Sequence, residues 1–185
     1  MRRALMAMPA AALLFLSAST QAADGYPRTI VANAKATSGA TTITSIVQIR
    51  IDRLVEPARR DRVIKGLKQN GYQGFMDAIR PLPAIGAIKT QNAEVVVKYA
   101  WETPVADKRR LVVVADKPLF FLPDDKEKGR AGYQLTVVQL LLDDHFVGSG
   151  LMAGAARVKP SPDEGVILED YTVTPVDLTV LPVSK

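Results

Sequence analysis

The chain has 185 residues, a formal net charge of +5, one histidine and no cysteine. The lack of cysteine excludes disulfides, thiolate metal sites and cysteine nucleophiles. The densest basic stretch, residues 59–68, contains no aromatic residue, which argues against nucleic-acid binding because such binders interleave positive charge with stacking aromatics.

Residues 1–22 predict a signal peptide for export. Arg2 and Arg3 give a positive start, residues 4–16 form an apolar run, and residues 20–22 place small side chains where a signal peptidase reads them. The apolar run is shorter than the ~20 residues of a membrane-spanning helix, and no other stretch comes near that length. We therefore expect a periplasmic or extracellular protein with no transmembrane segment in the mature chain.

Strands dominate the pattern of the mature chain. Two β-rich runs come first, at residues 29–36 and 41–51, and the second alternates so that one face is buried. Further strands are predicted at residues 84–89, 93–102, 110–116, 119–122, 133–143, 146–158, 166–171 and 176–183. Short connections imply antiparallel neighbours, since parallel pairs need long crossovers. We predict a mainly β fold, either an antiparallel sandwich or a curved, partly closed sheet, with residues 23–185 forming a single β-rich domain.

A short two-helix insertion is predicted after the second strand. Pro57 suits a first helical turn, and Asn70-Gly71 supplies a left-handed stop for that helix. A second helix is predicted over residues 74–79, where apolar residues repeat the i, i+1, i+4 spacing. The helices would cover one face or one open end of the sheet, and the alternative is an α+β fold with the helices packed on one face.

A strand of small residues supplies the candidate binding site. The glycines and alanines within residues 146–158 leave almost no side-chain volume, so another group must fill the space beside them. The predicted helices could pack there, or a small apolar cavity could admit a ligand. The lone Trp101 is expected in the core, on the same strand face as Val95 and Val97. The candidate ligand-binding residues are Gly148, Gly150, Gly154, Phe75, Met76, Ile79 and Trp101.

The same glycines fit the looser dinucleotide-binding pattern G-x-G-x-x-A, from Gly148 to Ala153. That fingerprint requires a long helix directly after the glycines, within a βαβ unit. The surrounding pattern is β, and Pro160 closes the segment. We therefore expect no nucleotide cofactor.

Catalytic residues are not evident in the chain. If His145 and Ser149 share one extended strand, their backbones lie ~13 Å apart, too far for proton transfer. Glu94 and Glu102 are separated by roughly 26 Å along a strand, beyond the spacing of glycosidase acid pairs. Asp143 and Asp144 beside His145 do not complete a metal site, because the chain has no other histidine and no cysteine. An ordinary turn is the favoured interpretation of the sequence around His145.

One face of the first predicted helix is basic. Arg59, Arg62, Lys65 and Lys68 share it. Such a face is typical of a solvated amphipathic helix, and the alternative is contact with anionic phospholipid or outer-leaflet sugars.

Most of the mature chain resembles a group of small exported bacterial proteins to which we attach no activity. The similar segments are Ile51-Asp52-Arg53, Gly86-Ala87-Ile88, Lys98-Tyr99-Ala100, the run from Arg109 to Leu119, and the strand pair at residues 133–158. The resemblance implies export and a single domain, and it assigns no catalytic or binding residue.

These observations favour an exported, non-catalytic protein that binds a small apolar ligand or an envelope protein partner. The alternative is a hydrolase that uses cross-strand carboxylates or His145, with partners brought close by folding. Neither a metal nor a cofactor is expected.

Overall fold

The computed structural model describes residues 25–38, 40–162 and 165–182. The predicted signal peptide lies outside the described residues. The strands are β1 Arg28–Ser38, β2 Thr41–Ile51, β3 Gly86–Lys89, β4 Glu94–Val105, β5 Lys108–Ala115, β6 Leu135–Leu142, β7 Gly148–Ser161, β8 Gly165–Tyr171 and β9 Val176–Val180. One α-helix, α1 Pro57–Ile79, follows β2, and a short 3₁₀ helix spans Pro123–Lys128.

The sheet closes into an antiparallel barrel. Neighbours from β1 to β7 pair in chain order, β9 pairs with both β1 and the first part of β7, and this completes a ring of eight strands. β8 pairs with the last part of β7 outside that ring. The predicted mainly β, antiparallel fold is confirmed. The strands form a closed barrel and not a sandwich. Closure gives the backbone of β1 and β6 partners on both sides, so the ring has no open edge.

Apolar side chains fill the barrel. The alternation predicted for β2 is confirmed, because Val47, Ile49 and Ile51 point inward and are fully buried. Inward residues of the other strands join them in one core cluster, including the small Ala32 and the larger Met152. Eight strands enclose an interior just wide enough for side chains to fill, so the barrel carries a packed core.

A bulge in β4 exchanges its two faces. The register of β4 against β5 shifts between Val97 and Tyr99. Val97 therefore belongs to the core inside the barrel, whereas Tyr99 and Trp101 belong to a second apolar layer on its outer surface. The prediction that Trp101 shares a core face with Val95 is wrong, because the extra residue of a bulge reverses the alternation. Trp101 is half-buried under the helix layer.

Between β2 and β3 lies α1, whose two helical segments are separated at Asn70 and Gly71, where the backbone angles are not helical. The helix is interrupted at the predicted stop, where Gly71 has φ 58° and ψ −147°. Its two halves double back, since a β-carbon on Gly74 would overlap the carbonyl oxygen of Gly66, although eight residues of straight helix span ~12 Å. The missing side chains of Gly66 and Gly74 permit this contact.

The helix covers the outer surface of the barrel. Phe75, Met76 and Ile79 are fully buried there, against outward residues of β4 to β8. On β7 the contact includes Ala153 and Ala156. The predicted packing of helical apolar residues on the small-residue strand is thus found at its alanines.

Candidate functional site

The predicted binding residues lie on two sides of the sheet. Phe75, Met76 and Ile79 are in the outer layer, where Phe75 meets Tyr99 edge-on with ring centroids 6.1 Å apart. Gly148 and Gly150 pair with inward residues of β6 at the opposite face. The structure therefore does not bring these glycines and the helical residues together.

Gly148 and Gly150 allow two strands to approach closely. A β-carbon on Gly148 would overlap the carbonyl oxygen of Leu141, and one on Gly150 would overlap that of Gln139. Both oxygens belong to the β6 backbone. The space left by the missing side chains is filled by the neighbouring strand, as expected where glycine marks a close backbone approach.

Gly154 contacts a different part of the chain, residues 117–122, which we call the barrel-end segment. The backbone N–H of Leu119 donates to the carbonyl oxygen of Gly154 at 2.8 Å, and the Thr136 hydroxyl donates to the carbonyl oxygen of Lys117 at 2.9 Å. A side chain on Gly154 would overlap the Leu119 carbonyl oxygen. The strand predicted at residues 119–122 is not present, because these backbone groups bond to single partners rather than to a ladder.

The barrel-end segment closes one end of the barrel. The Leu119 side chain is 2% exposed and belongs to the interior core, and Phe121 and Leu122 pack on the edge of that core. Beyond the segment, buried Asp125 accepts a hydrogen bond from the Leu122 N–H at 3.3 Å and another from the Lys128 ammonium at 3.2 Å. The segment is therefore fixed at both ends.

A cleft of about 540 Å³ lies between this segment and the turn joining β3 to β4, and we call it the barrel-end cleft. It is lined by Asn92, Ala93, Glu94, Val95, Lys117, Pro118, Leu119, Phe120, Phe121, Leu122 and Lys126. Phe120 and Phe121 are half-buried, so part of each side chain is already removed from solvent. The volume falls within the ~300–1,000 Å³ typical of small-molecule sites.

Charged residues lie at the rim of the barrel-end cleft. Lys117, Lys126 and Glu94 are all exposed. Among the rim side chains that the structure describes, two cations against one carboxylate give a positive balance, which favours a ligand with an acidic group.

The other end of the barrel carries a network of polar contacts. The Tyr26 hydroxyl donates to Glu102 Oε1 at 2.6 Å, and the Arg109 guanidinium lies 3.7 Å from Glu102 Oε2 and 3.0 Å from Asp144 Oδ1. Burial raises the pKa of Tyr26, and the hydrogen bond to Glu102 raises it further. Arg109 also stacks on Phe146, 4.7 Å from the ring centroid. Because these groups satisfy one another, the network stabilises the end of the barrel.

His145 lies in an exposed turn between β6 and β7. Asp143 Oδ1 accepts hydrogen bonds from the backbone N–H groups of Val147 at 2.9 Å and His145 at 2.8 Å, and these bonds lower the pKa of Asp143. No group of three or more metal-ligating side chains occurs within residues 25–38, 40–162 and 165–182. The contacts around His145 are those of a hydrogen-bonded turn.

The barrel-end cleft was not identified from the sequence. The available signal was an apolar run, Leu119 to Leu122, directly after Pro118. Proline supplies no N–H to a ladder and is confined to strand edges and starts, so this run could have been assigned to a loop with exposed aromatic rings.

Comparison with known proteins adds no assignment. No protein-family model matches the chain, and no curated protein or solved structure matches it. In the part of the chain that the structure describes, no helix combines the length and apolar character needed to cross a membrane.

Proposed function

We propose that this is an exported, non-catalytic protein that binds a small, mainly apolar ligand carrying one acidic group, in the barrel-end cleft. The observation that carries the proposal is the pair of half-buried rings, Phe120 and Phe121, held over a cleft of about 540 Å³ by a segment bonded at both ends. A preformed wall lowers the ordering cost of binding.

The position of the cleft follows from the packed barrel. Inward side chains such as Ile49 and Leu140 already occupy the interior, so a ligand is better accommodated at the end of the barrel. There Val95 and Leu119 join the cleft to the apolar core. Apolar surface covered by the ligand would supply most of the affinity, at about 25 cal/mol per Å² before the costs of association.

An envelope protein partner is less favoured by the surface. Within the described residues, the exposed large apolar side chains are Ile46, Val96 and Tyr171. Single exposed apolar residues are normal for a soluble protein, whereas a docking face usually gathers several hundred Å² of apolar surface. We therefore place the small ligand first.

The test uses 1-anilinonaphthalene-8-sulfonate, an aromatic probe with one acidic group, titrated into the folded protein. Phe121→Ala removes one ring of the wall and is expected to weaken the probe's Kd about tenfold, since a buried aromatic ring contributes more than ~1.4 kcal/mol. Ile46→Ala is the matched control, because it removes an exposed apolar side chain from β2.

Native mass spectrometry of gently purified protein completes the test. A copurifying mass that is lost in Phe121→Ala and kept in Ile46→Ala supports the proposal. Equal probe affinity in both variants would show that the cleft is not the binding site, and the proposal would then be rejected.

A further inference from the structure

Part of β2 extends beyond the ring of eight strands and has no strand on one side. β1 pairs with β2 along its whole length, whereas β3 pairs only with residues 48–51 of β2. β3 ends at Lys89, opposite Gln48. In the part of the chain that the structure describes, residues 41–47 are therefore an uncovered strand edge, and we call them the free β2 edge.

The register shows which backbone groups face the uncovered side. The Leu181 N–H donates to the carbonyl oxygen of Val31 at 2.8 Å, so Val31 faces β9 and the even-numbered residues of β1 face β2. Those residues oppose odd-numbered residues of β2. The N–H and C=O groups of Thr42, Thr44 and Ile46 therefore point away from β1, and such a row of groups is a template for another strand.

The free β2 edge lacks the features that usually prevent strand pairing. Residues 41–47 include no charged residue and no proline, and the register between β1 and β2 has no bulge. By contrast β8, at one end of the strand order, carries Glu169 and Asp170, and Asp170 Oδ1 accepts a hydrogen bond from the Tyr171 N–H at 2.8 Å. Because charges and occupied donors protect an edge, β2 is more open to pairing than β8.

A groove of about 470 Å³ runs along the free β2 edge, between β2 and residues 89–91. The turn after β3 has a fixed shape, because the Thr90 N–H donates to the carbonyl oxygen of Ala93 at 2.9 Å and the Ala93 N–H donates to Thr90 Oγ1 at 3.2 Å. Lys89 supplies the one charge among the lining residues. The space beside β2 is therefore preformed and nearly uncharged.

We propose that the free β2 edge pairs antiparallel with the same edge of a second copy of this chain, around a two-fold axis at Thr44. In this register Thr44 opposes Thr44 of the second copy, and Ile46 opposes Thr42 of the second copy. The added strand begins at Thr41, opposite Val47, so it ends just before the residues that β3 covers. The register that uses the whole free edge therefore leaves the β2–β3 pairing intact.

The free β2 edge is complementary to itself. Two-fold symmetry brings the same patch of both subunits together, and an uncharged edge meets no like charge across the axis. Ile46, which is 43% exposed, would lie against a threonine, and pairs of β-branched residues suit an antiparallel ladder. Pairing of this kind does not need a large apolar patch, because main-chain hydrogen bonds supply the affinity.

The size of the edge predicts a weak dimer. Residues 41–47 are far fewer than the roughly 20–30 residues a side of a standard interface. We expect reversible dimerisation with a Kd of about 0.1 mM, measured by sedimentation equilibrium up to about 1 mM protein. A protein that is still monomeric at that concentration overturns the proposal, even if the edge binds an extended peptide of another protein.

A pair of charge variants tests the register. Thr42→Lys/Ile46→Lys would set lysine against lysine twice across the axis, whereas Thr42→Glu/Ile46→Lys would set glutamate against lysine twice. Within the monomer both positions oppose uncharged residues of β1, Thr37 and Asn33. The lysine–lysine variant should weaken the dimer about tenfold or more, and the glutamate–lysine variant should dimerise at least as tightly as the parent protein. Equal dissociation constants for the two variants would overturn the proposal.

A single introduced cysteine tests the position of the axis, since the chain has no cysteine of its own. Opposed residues of a hydrogen-bonded antiparallel pair have α-carbons ~5.5 Å apart, within the range that a disulfide spans. Under mild oxidation, Thr44→Cys should give a covalent dimer. Thr179→Cys is the control, because Thr179 is exposed on β9, which has strands on both sides. No covalent dimer of Thr44→Cys, or equal amounts from both variants, would overturn the proposal.

Discussion

At the scale of single residues, the half-buried Tyr26 and the fully buried Tyr99 differ in what their hydroxyl groups do. The Tyr26 hydroxyl donates to Glu102 at 2.6 Å, within the network that includes Arg109. The Tyr99 hydroxyl is buried under α1 beside the Arg60 side chain, which lowers its pKa against the effect of burial, and it makes no hydrogen bond of good geometry. The same atom therefore stabilises the fold in one place and costs free energy in the other.

Replacing each tyrosine by phenylalanine separates these effects. Tyr26→Phe should lower the free energy of unfolding by about 2 kcal/mol, because it removes a hydrogen bond to a carboxylate. Tyr99→Phe should leave it unchanged or raise it by up to about 1 kcal/mol, because it removes an unsatisfied group. Urea unfolding measures both, and a larger loss for Tyr99→Phe would contradict the assigned contacts.

The burial of Tyr99 also predicts that the free energy of unfolding depends on pH in the alkaline range. Burial raises its pKa from 10.0 to about 12, and the positive charge of Arg60 opposes the rise. A raised folded-state pKa gives a stabilising contribution that is complete below the unfolded value of 10.0 and is lost as pH rises towards 12. As pH rises across that interval, the free energy of unfolding of the parent protein should therefore decrease relative to that of Tyr99→Phe. A difference that is constant with pH would mean that Tyr99 is not buried.

At the scale of elements, the sequence predicts those features that depend only on residues close together in the chain. The buried face of β2 follows from alternation, and the break in α1 at Gly71 follows from a residue that tolerates positive φ. The bulge in β4 depends on pairing with β5, so the position of Trp101 could not be read from the sequence of β4 alone. The barrel-end segment looked like a strand because its residues are apolar, yet its partners come from β7 and Asp125.

The doubled-back helix predicts a sensitive glycine. Gly74→Ala should lower the free energy of unfolding by about 2 kcal/mol, since its methyl group would meet the Gly66 carbonyl oxygen and part the two halves of α1. Gly129→Ala is the control, because Gly129 has an ordinary φ of −58° and is exposed, and it should change stability by less than about 0.5 kcal/mol. Equal effects of the two changes would contradict the close contact.

Gly154 predicts a link between β7 and the barrel-end cleft. Gly154→Ala should displace Leu119 from its hydrogen bond and move the Phe121 wall with it. We expect both a loss of about 2 kcal/mol in unfolding free energy and weaker binding of 1-anilinonaphthalene-8-sulfonate. Unchanged binding in a variant that is measurably less stable would show that the segment does not form the site.

At the scale of the whole molecule, closure of the barrel decides where a ligand can bind. The pairing of β1 with β9 joins residues about 150 positions apart in sequence, and no local pattern specifies it. An antiparallel sheet can therefore be predicted from the sequence, whereas the choice between a sandwich and a closed barrel cannot. In the closed and filled barrel, the small-residue strand forms part of the barrel wall rather than the lining of a cavity. The available concave surfaces lie outside the barrel.

The most direct measurement of the central proposal is methyl NMR of the folded protein titrated with 1-anilinonaphthalene-8-sulfonate. Ring-current shifts should appear at Val95 and Leu122, which line the barrel-end cleft, and should be absent at Val47 and Ile49 in the barrel interior. Shifts at Val47 and Ile49 without shifts at Val95 and Leu122 would place the ligand inside the barrel and contradict the account.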